Sequence, residues 1–224
     1  MLKDEQEMID ACKDDPSKIF KIIKNGEYEV VYKMVDKNMI DVNLVDGVGN
    51  DVVTRLLKAK QYDLVEQLMK KKNWNVNHKN KDGETFGHVL GNDNSLFAAK
   101  IVEQLNKKKN YLPNIKNNNG ETIFDKALNS SYLCTAIKVL EDKRFNSIDL
   151  TSFKTLCNTI IKNRDYGKYT KINTLEIVID NLKKRELDPN VKNLVSDLSD
   201  NMEIIKKDIM NNDSRLINNL INNS

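Results

Sequence analysis

Residues that break helices or build sheets are scarce in this 224-residue chain. It contains three prolines and eight glycines, and only 6% of its residues are aromatic, which disfavours an all-β protein and favours helices. Apolar residues still make up 39% of the sequence, so the chain has enough apolar surface for a core and is not expected to be disordered. The composition predicts an all-α fold.

Long apolar runs are missing as well. The opening segment MLKDEQEMIDACKDDP is charged from Lys3 onward and lacks the apolar stretch of a secretory signal. No other run approaches the length that crosses a bilayer. We therefore expect an intracellular, cytoplasmic protein that does not bind a membrane.

Residues that carry chemistry are few. Cys12, Cys134 and Cys157 are odd in number, far apart and surrounded by apolar residues, which fits buried thiols in a reducing compartment better than reactive or metal-binding ones. The two histidines, His78 and His88, have no cysteine nearby and do not form a metal-ligand set. Phosphate-binding loops and the usual hydrolase motifs are missing. We therefore expect no enzymatic activity, no cofactor and no metal.

What the chain does contain is a repeat. The segment NWNVNHKNKDGETF at 73–86 returns as NYLPNIKNNNGETI at 110–123, with an offset of 37 residues throughout. Upstream, Asn43 and Gly49 precede Asn77 and Gly83 by 34 residues. A period in the thirties is typical of small helical units that bury their apolar faces by stacking on one another.

Each unit has the pattern of a turn, a helix cap and two helices. Gly83 and Gly120 lie where a tight turn needs a positive φ. Thr85 and Thr122 follow them, and a threonine hydroxyl there accepts a hydrogen bond from the first turn of a helix. After residue 145 this turn is missing, and the segment from Pro189 predicts either one more helix pair or one bent helix.

These motifs resemble the ankyrin repeat, in which D-x-N and then G-x-T-P-L-H-x-A precede a helix pair, over about residues 13–145. The matching residues are Asp41, Asn43, Asn77, Gly83, Thr85, His88, Asn114, Gly120, Thr122, Phe124 and Ala127. The resemblance implies an α-solenoid of helix-turn-helix repeats with short hairpin turns. It also implies that His88 bonds to the Thr85 region, as the histidine of the family motif does. We expect repeats at 13–40, 41–74, 75–111 and 112–146 within 1–150, preceded by an N-terminal capping helix. Divergent helical repeats and a C-terminal cap over 151–224 would continue the same solenoid.

The resemblance also implies a function. Ankyrin repeats bind other proteins on a concave face lined by hairpin tips and first helices, so we expect a protein-protein interaction module with an unidentified protein partner, acting as a monomer. The tip residues that flank each turn without forming it are the candidate partner-binding residues: Val45, His78, Lys79, Lys81, Ile115 and Lys116. We expect His78 to be solvated. The abundance of Asn and Lys fits an AT-rich genome. A virus or an intracellular pathogen is one origin that this composition allows, and the protein would then act on a host protein.

Charge of one sign does not dominate the sequence. The 36 basic and 33 acidic residues give a net charge of +3, which argues against a dedicated nucleic-acid binder. Basic clusters nevertheless close successive second helices at 70–72, 107–109, 143–144 and 183–185. Cations there stabilise the exposed carbonyls of a helix C-terminus. The alternative function is a basic ridge that binds nucleic acid or another anionic surface.

Overall fold

The computed structural model describes residues 3–93, 95–129 and 133–223, and this part of the chain is all-helical, without a strand. The predicted all-α fold is confirmed. A short 3-10 turn at Pro16–Lys18 follows the first helix. The helices are α1 (Lys3–Asp14), α2 (Ile19–Asn25), α3 (Tyr28–Asp36), α4 (Val52–Lys58), α5 (Tyr62–Leu68), α6 (Phe86–Gly91), α7 (Leu96–Asn106), α8 (Ile123–Leu128), α9 (Cys134–Glu141), α10 (Leu150–Lys162), α11 (Lys168–Leu182), α12 (Pro189–Asp200), α13 (Met202–Met210) and α14 (Arg215–Asn223).

The chain divides into two compact units. The first contains the residues up to Leu90 together with 109–111 and 115–120. The second contains 91–108, 112–114 and the residues from Glu121 onward. At the start of the repeat expected over 112–146, residues 115–120 therefore belong to the first unit, and residues 112–114 and those from Glu121 onward belong to the second.

Helices in the first unit pack in one recurring arrangement. The pairs α2/α3 and α4/α5 each form a hairpin, and the pairs stack so that α2 contacts α4 while α3 contacts α5. Helix α1 packs on α3, buries Ile9 and Cys12, and forms an ion pair of 2.6 Å between Glu5 and Lys33. It therefore covers the first pair from the N-terminal side, in the position expected of a capping helix.

Helices in the second unit follow the same arrangement. Helix α8 pairs with α9, α10 with α11 and α12 with α13, and the contacts again join first helix to first helix and second to second. The segment from Pro189 forms two helices, α12 and α13, which are separated by Asn201 alone. The last helix, α14, was not predicted, and it packs its buried Ile217 and Ile221 against the preceding helices.

The first helices of two pairs, α2 and α4, are each followed by a residue in the left-handed conformation. Gly26 after α2 has φ 81°, and Lys60, which is 34 residues later, has φ 58° after α4. The amides of Gly26 and Lys60 donate to carbonyls in the last turn of their helices, which closes the helix end. The same backbone conformation thus recurs with the repeat, although the residue type does not.

Candidate partner-binding surface

Three hairpins, preceding α4, α6 and α8, share one backbone frame. In each, a glycine with positive φ donates its amide to the carbonyl of the residue three positions earlier. The glycines are Gly49, Gly83 and Gly120, with φ of 84°, 72° and 79°, and their acceptors are Asp46, Asn80 and Asn117 at 2.9, 3.0 and 3.0 Å. The prediction that Gly83 and Gly120 adopt a conformation that other residues avoid is confirmed.

The acceptor residues also hold the turn with their side chains. The Asn80 side-chain oxygen accepts hydrogen bonds from the amides of Asp82 and Glu84, both at 2.9 Å. The Asp46 carboxylate holds the first turn in the same way, and the Asn117 side-chain oxygen accepts from the Asn119 amide. Asp and Asn favour such positions because their short polar side chains bond to nearby backbone amides.

Each hairpin ends in a helix cap, built from different residues. Asp51 accepts from the Thr54 amide at 2.7 Å, and Thr122 forms a reciprocal capping box with Asp125. In the middle hairpin, the Thr85 amide donates to His88 Nδ1 at 3.1 Å, and the Thr85 hydroxyl lies 2.9 Å from the same nitrogen. His88 is fully buried, so the predicted bond between His88 and the Thr85 region is confirmed.

Backbone hydrogen bonds join the tips of these three hairpins within the first unit. The Lys81 amide donates to the Val48 carbonyl at 3.1 Å, and the Asn118 amide donates to the Asp82 carbonyl at 3.0 Å. These two bonds occupy equivalent places, since each donor lies 33 or 36 residues after its acceptor. The tips therefore form one row whose spacing is set by main-chain atoms.

Asparagines at the base of the hairpins link one repeat to the next. Asn43 donates to the Asn73 carbonyl and accepts from the Asn75 amide, both at 2.8 Å. Asn77 donates to the Asn110 carbonyl at 2.6 Å in the same manner. In the second unit, Asn114 donates to the Arg144 carbonyl at 2.7 Å and accepts from the Asn146 amide at 2.9 Å. These hydrogen bonds to the following repeat explain why the sequence repeats an asparagine at that position.

The six candidate partner-binding residues all lie on the tips in the first unit. Val45 is 41% exposed, and Lys79, Lys81 and Lys116 are also exposed. Ile115 and His78 are half-buried. His78 differs from the expectation of a solvated side chain, because its Nε2 donates to the Gly49 carbonyl at 2.8 Å and ties the second tip to the first.

The three tip lysines form no ion pair with a described carboxylate. The Lys79 ammonium donates to the Lys116 carbonyl at 3.0 Å, and the Lys81 ammonium donates to the Gly47 carbonyl at 2.7 Å. Throughout residues 3–93, 95–129 and 133–223, none of the ion pairs involves Lys79, Lys81 or Lys116. A bond to a neutral carbonyl orients an ammonium group and leaves its positive charge in place.

Val48 is a tip residue that sequence reasoning missed. It is 53% exposed, more than Val45, and it lies beside the Gly47 carbonyl that holds the Lys81 ammonium. The signal was available in the repeat register, where Val48 aligns with Asp82 and Asn119. A valine at a position that is otherwise polar marks an apolar tip.

The basic clusters at the second-helix ends are largely engaged within the protein. The Arg144 guanidinium donates to the Asn106 and Lys108 carbonyls, both at 2.9 Å, and pairs with Asp142 at 2.6 Å. Arg185 donates to the Phe145 carbonyl at 2.7 Å and to the carbonyl of Leu140. Desolvation by burial lowers the pKa of the Arg185 guanidinium. These two arginines complete the C-terminal ends of α7 and α9, as the helix-dipole interpretation predicts.

Other chemistry is sparse in the part of the chain that the structure describes. It contains no group of His, Cys, Asp and Glu side chains arranged to hold a metal ion. Burial raises the pKa of the Cys157 thiol to about 12, so this thiol stays protonated and unreactive. A cleft of about 620 Å³ in the second unit mixes both signs of charge. Its lining consists of Lys143, Asn146, Asp180, Asn181, Lys184, Arg185 and Glu186.

Helices that are both long and apolar enough to cross a bilayer do not occur among the residues described.

In comparisons with known proteins, no family model and no curated protein matches the chain. The surface therefore has to be interpreted from its own geometry.

Proposed function

We propose that the chain is a non-enzymatic protein-interaction module of the ankyrin-repeat type, an α-solenoid that binds a partner protein with its hairpin tips and first-helix faces. The candidate contacts are the six tip residues named from the sequence, together with Val48. In this proposal the repeats supply a rigid frame, and the tips supply the specificity.

One observation carries the proposal. The three hairpins keep the same glycine conformation, the same side-chain turn and the same cap position, whereas the residues that face solvent differ at equivalent places. Val48, Asp82 and Asn119 occupy one such place, and they differ in polarity and charge. A frame held by glycines, caps and main-chain bonds leaves the exposed side chains available for recognition.

A capture experiment with charge-reversed variants tests this proposal. Immobilised protein would be incubated with a lysate of its source cells, and the retained proteins identified by mass spectrometry. We expect the paired change Lys79→Glu and Lys81→Glu to abolish capture of a specific protein. The matched pair Lys70→Glu and Lys72→Glu, at exposed positions after α5, should leave capture intact. If only the second pair abolishes capture while both variants melt like the parent, the tips are not the binding surface.

The alternative of a nucleic-acid or anionic-surface binder is less well supported. It requires unpaired positive charges along the basic clusters, and two of these charges are offset by carboxylates, because Lys107 is paired with Glu103 at 2.7 Å and Arg144 with Asp142 at 2.6 Å. Titration of labelled duplex DNA at rising salt tests it. Phosphate-dominated binding would weaken by orders of magnitude between about 50 and 200 mM salt. Undetectable binding at the lower salt would exclude the alternative.

A further inference from the structure

We propose that the partner segment is an extended acidic peptide with one apolar anchor, which lies along the row of tips with its anchor at the first tip and its carboxylates at the second and third. This inference rests on the proposed function and names the chemistry of the partner. The tips are graded along the row, from an apolar end to a cationic end.

The apolar end is formed by Val45 and Val48. They are 41% and 53% exposed, and both lie in the first tip. Two solvent-facing valines in one turn, at positions where the other tips carry polar residues, offer aliphatic surface to a single apolar side chain. The patch suits one leucine-sized anchor better than a broad apolar interface.

The cationic end begins within the same tip. The Lys81 ammonium reaches back to the Gly47 carbonyl, next to Val48, and the Lys79 ammonium reaches forward to the Lys116 carbonyl. Both groups are thus fixed in position along the row before a partner arrives. Fixed charges lose less conformational entropy on binding than free lysine side chains do, so they favour carboxylates placed at matching intervals.

The carboxylates near the tips offset only part of this positive charge. Asp46 is paired with Arg55 at 3.2 Å, and the Asp51 carboxylate accepts from the Trp74 indole at 2.9 Å in a buried position. The second tip carries two further carboxylates, the exposed Asp82 and the half-buried Glu84. Lys79, Lys81 and Lys116 outnumber these two by one along the row.

Two features favour a peptide over a nucleic acid. The tips carry valines and have no Phe, Tyr or Trp side chain on which a base could stack, since the segments 44–50, 78–84 and 115–120 contain none; their one histidine, His78, is bound to the Gly49 carbonyl. The graded order also matches a directional chain with different side chains at successive positions. Neighbouring repeats are separated by about 10 Å, and an extended peptide covers that distance in about three residues. The expected pattern is Leu-x-x-Glu-x-x-Glu.

Synthetic peptides test the inference directly. A fluorescent peptide containing Leu-x-x-Glu-x-x-Glu in a Gly/Ser background would be titrated with the full chain. Three controls have the leucine replaced by serine, both glutamates replaced by lysine, or the same residues reordered as Glu-x-x-Leu-x-x-Glu. We expect the first peptide to bind, each control to bind at least about tenfold more weakly, and affinity to fall as salt rises.

Variants of the protein identify where the peptide binds. Val48→Ser and the pair Lys79→Gln and Lys81→Gln should each weaken binding about tenfold, while the control pair Lys70→Gln and Lys72→Gln should not. Glutamine keeps a hydrogen-bond donor for the carbonyls, and thermal melting would verify that each variant is folded. Should a variant be unfolded, the four peptides compared on the parent protein still decide the matter.

Several outcomes overturn the inference. These are no binding of the first peptide, equal binding of the reordered peptide, equal effects of the two lysine pairs, or tighter and lysine-dependent binding of an oligonucleotide with the same number of charges. If the peptide fails but charge reversal at the tips still abolishes protein capture, the proposed function stands and only the partner chemistry is wrong.

Discussion

Replacing Gly83 and Gly120 by alanine should have very different effects on stability, although the two glycines share one turn. Their φ values of 72° and 79° mean that an added side chain is strained to a similar degree in both, at a cost of about 1 kcal/mol. The difference lies in the surroundings. A Cβ on Gly120 would meet nothing within 4 Å, whereas a Cβ on Gly83 would overlap the Asn118 side-chain oxygen and lie 2.9 Å from the Asn118 nitrogen.

The neighbour of Gly83 has little room to move. The Asn118 amide is held by the Asp82 carbonyl at 3.0 Å, and its side chain donates to the Lys81 carbonyl at 3.1 Å. Relieving the overlap would stretch these bonds, and overpacking of this kind costs about 2 kcal/mol. We therefore expect Gly83→Ala to lower the free energy of unfolding by roughly 3 kcal/mol and Gly120→Ala by roughly 1 kcal/mol.

Urea unfolding followed by far-ultraviolet circular dichroism would measure both changes. Gly49→Ala provides an internal calibration, because its Cβ would lie 3.2 Å from Asn80 Cα and from Lys81 N, a milder approach than at Gly83. The loss of unfolding free energy should be smallest for Gly120→Ala, larger for Gly49→Ala and largest for Gly83→Ala. If Gly83→Ala and Gly120→Ala agree within about 0.5 kcal/mol, the close approach of the second and third tips is refuted.

Three further predictions concern the second unit. Gly91→Ala should destabilise by roughly 2 kcal/mol in a melting assay, because its Cβ would lie 2.7 Å from the Ile123 carbonyl oxygen; wild-type stability would contradict that packing. Thr122→Ala should cost about 1 kcal/mol in the same assay by removing the cap of α8, whereas Thr122→Ser should cost much less. The Cys157 thiol should react with maleimide at mildly alkaline pH only as fast as the protein unfolds, because burial raises its pKa to about 12; rapid labelling of the native protein would contradict its burial.

Features that arise within a few residues could be predicted from the sequence. The turn glycines and the cap at Thr122 depend on residues at most four positions apart, so the sequence order already indicates them. The bond between Thr85 and His88 is equally local, and its prediction came from the family resemblance. The helix-ending conformation shared by Gly26 and Lys60 follows from the same local register. A repeat makes such signals stronger because each is seen more than once.

Contacts between repeats could not be predicted. His78 bonds to Gly49, and Lys79 bonds to Lys116, across 29 and 37 residues of sequence. Whether a tip lysine contacts a carbonyl, a carboxylate or water depends on how the hairpins are offset when they stack, and spacing alone does not specify that offset. The exposure of Val48 was missed for the same reason, since burial at a tip is decided by the neighbouring tip.

The arginines at the second-helix ends have a consequence for shortening the protein. Arg144 donates hydrogen bonds to the carbonyls at the end of α7, and Arg185 donates to those at the end of α9. The hydrogen bonds that close each helix therefore come from a residue 36 to 45 positions later in the sequence. A chain cut just after one helix pair would retain the helices and lose the group that closes them. A shortened form of the second unit that keeps α9 should therefore extend at least to Arg185, beyond the end of α11, rather than stop at the end of α9 itself.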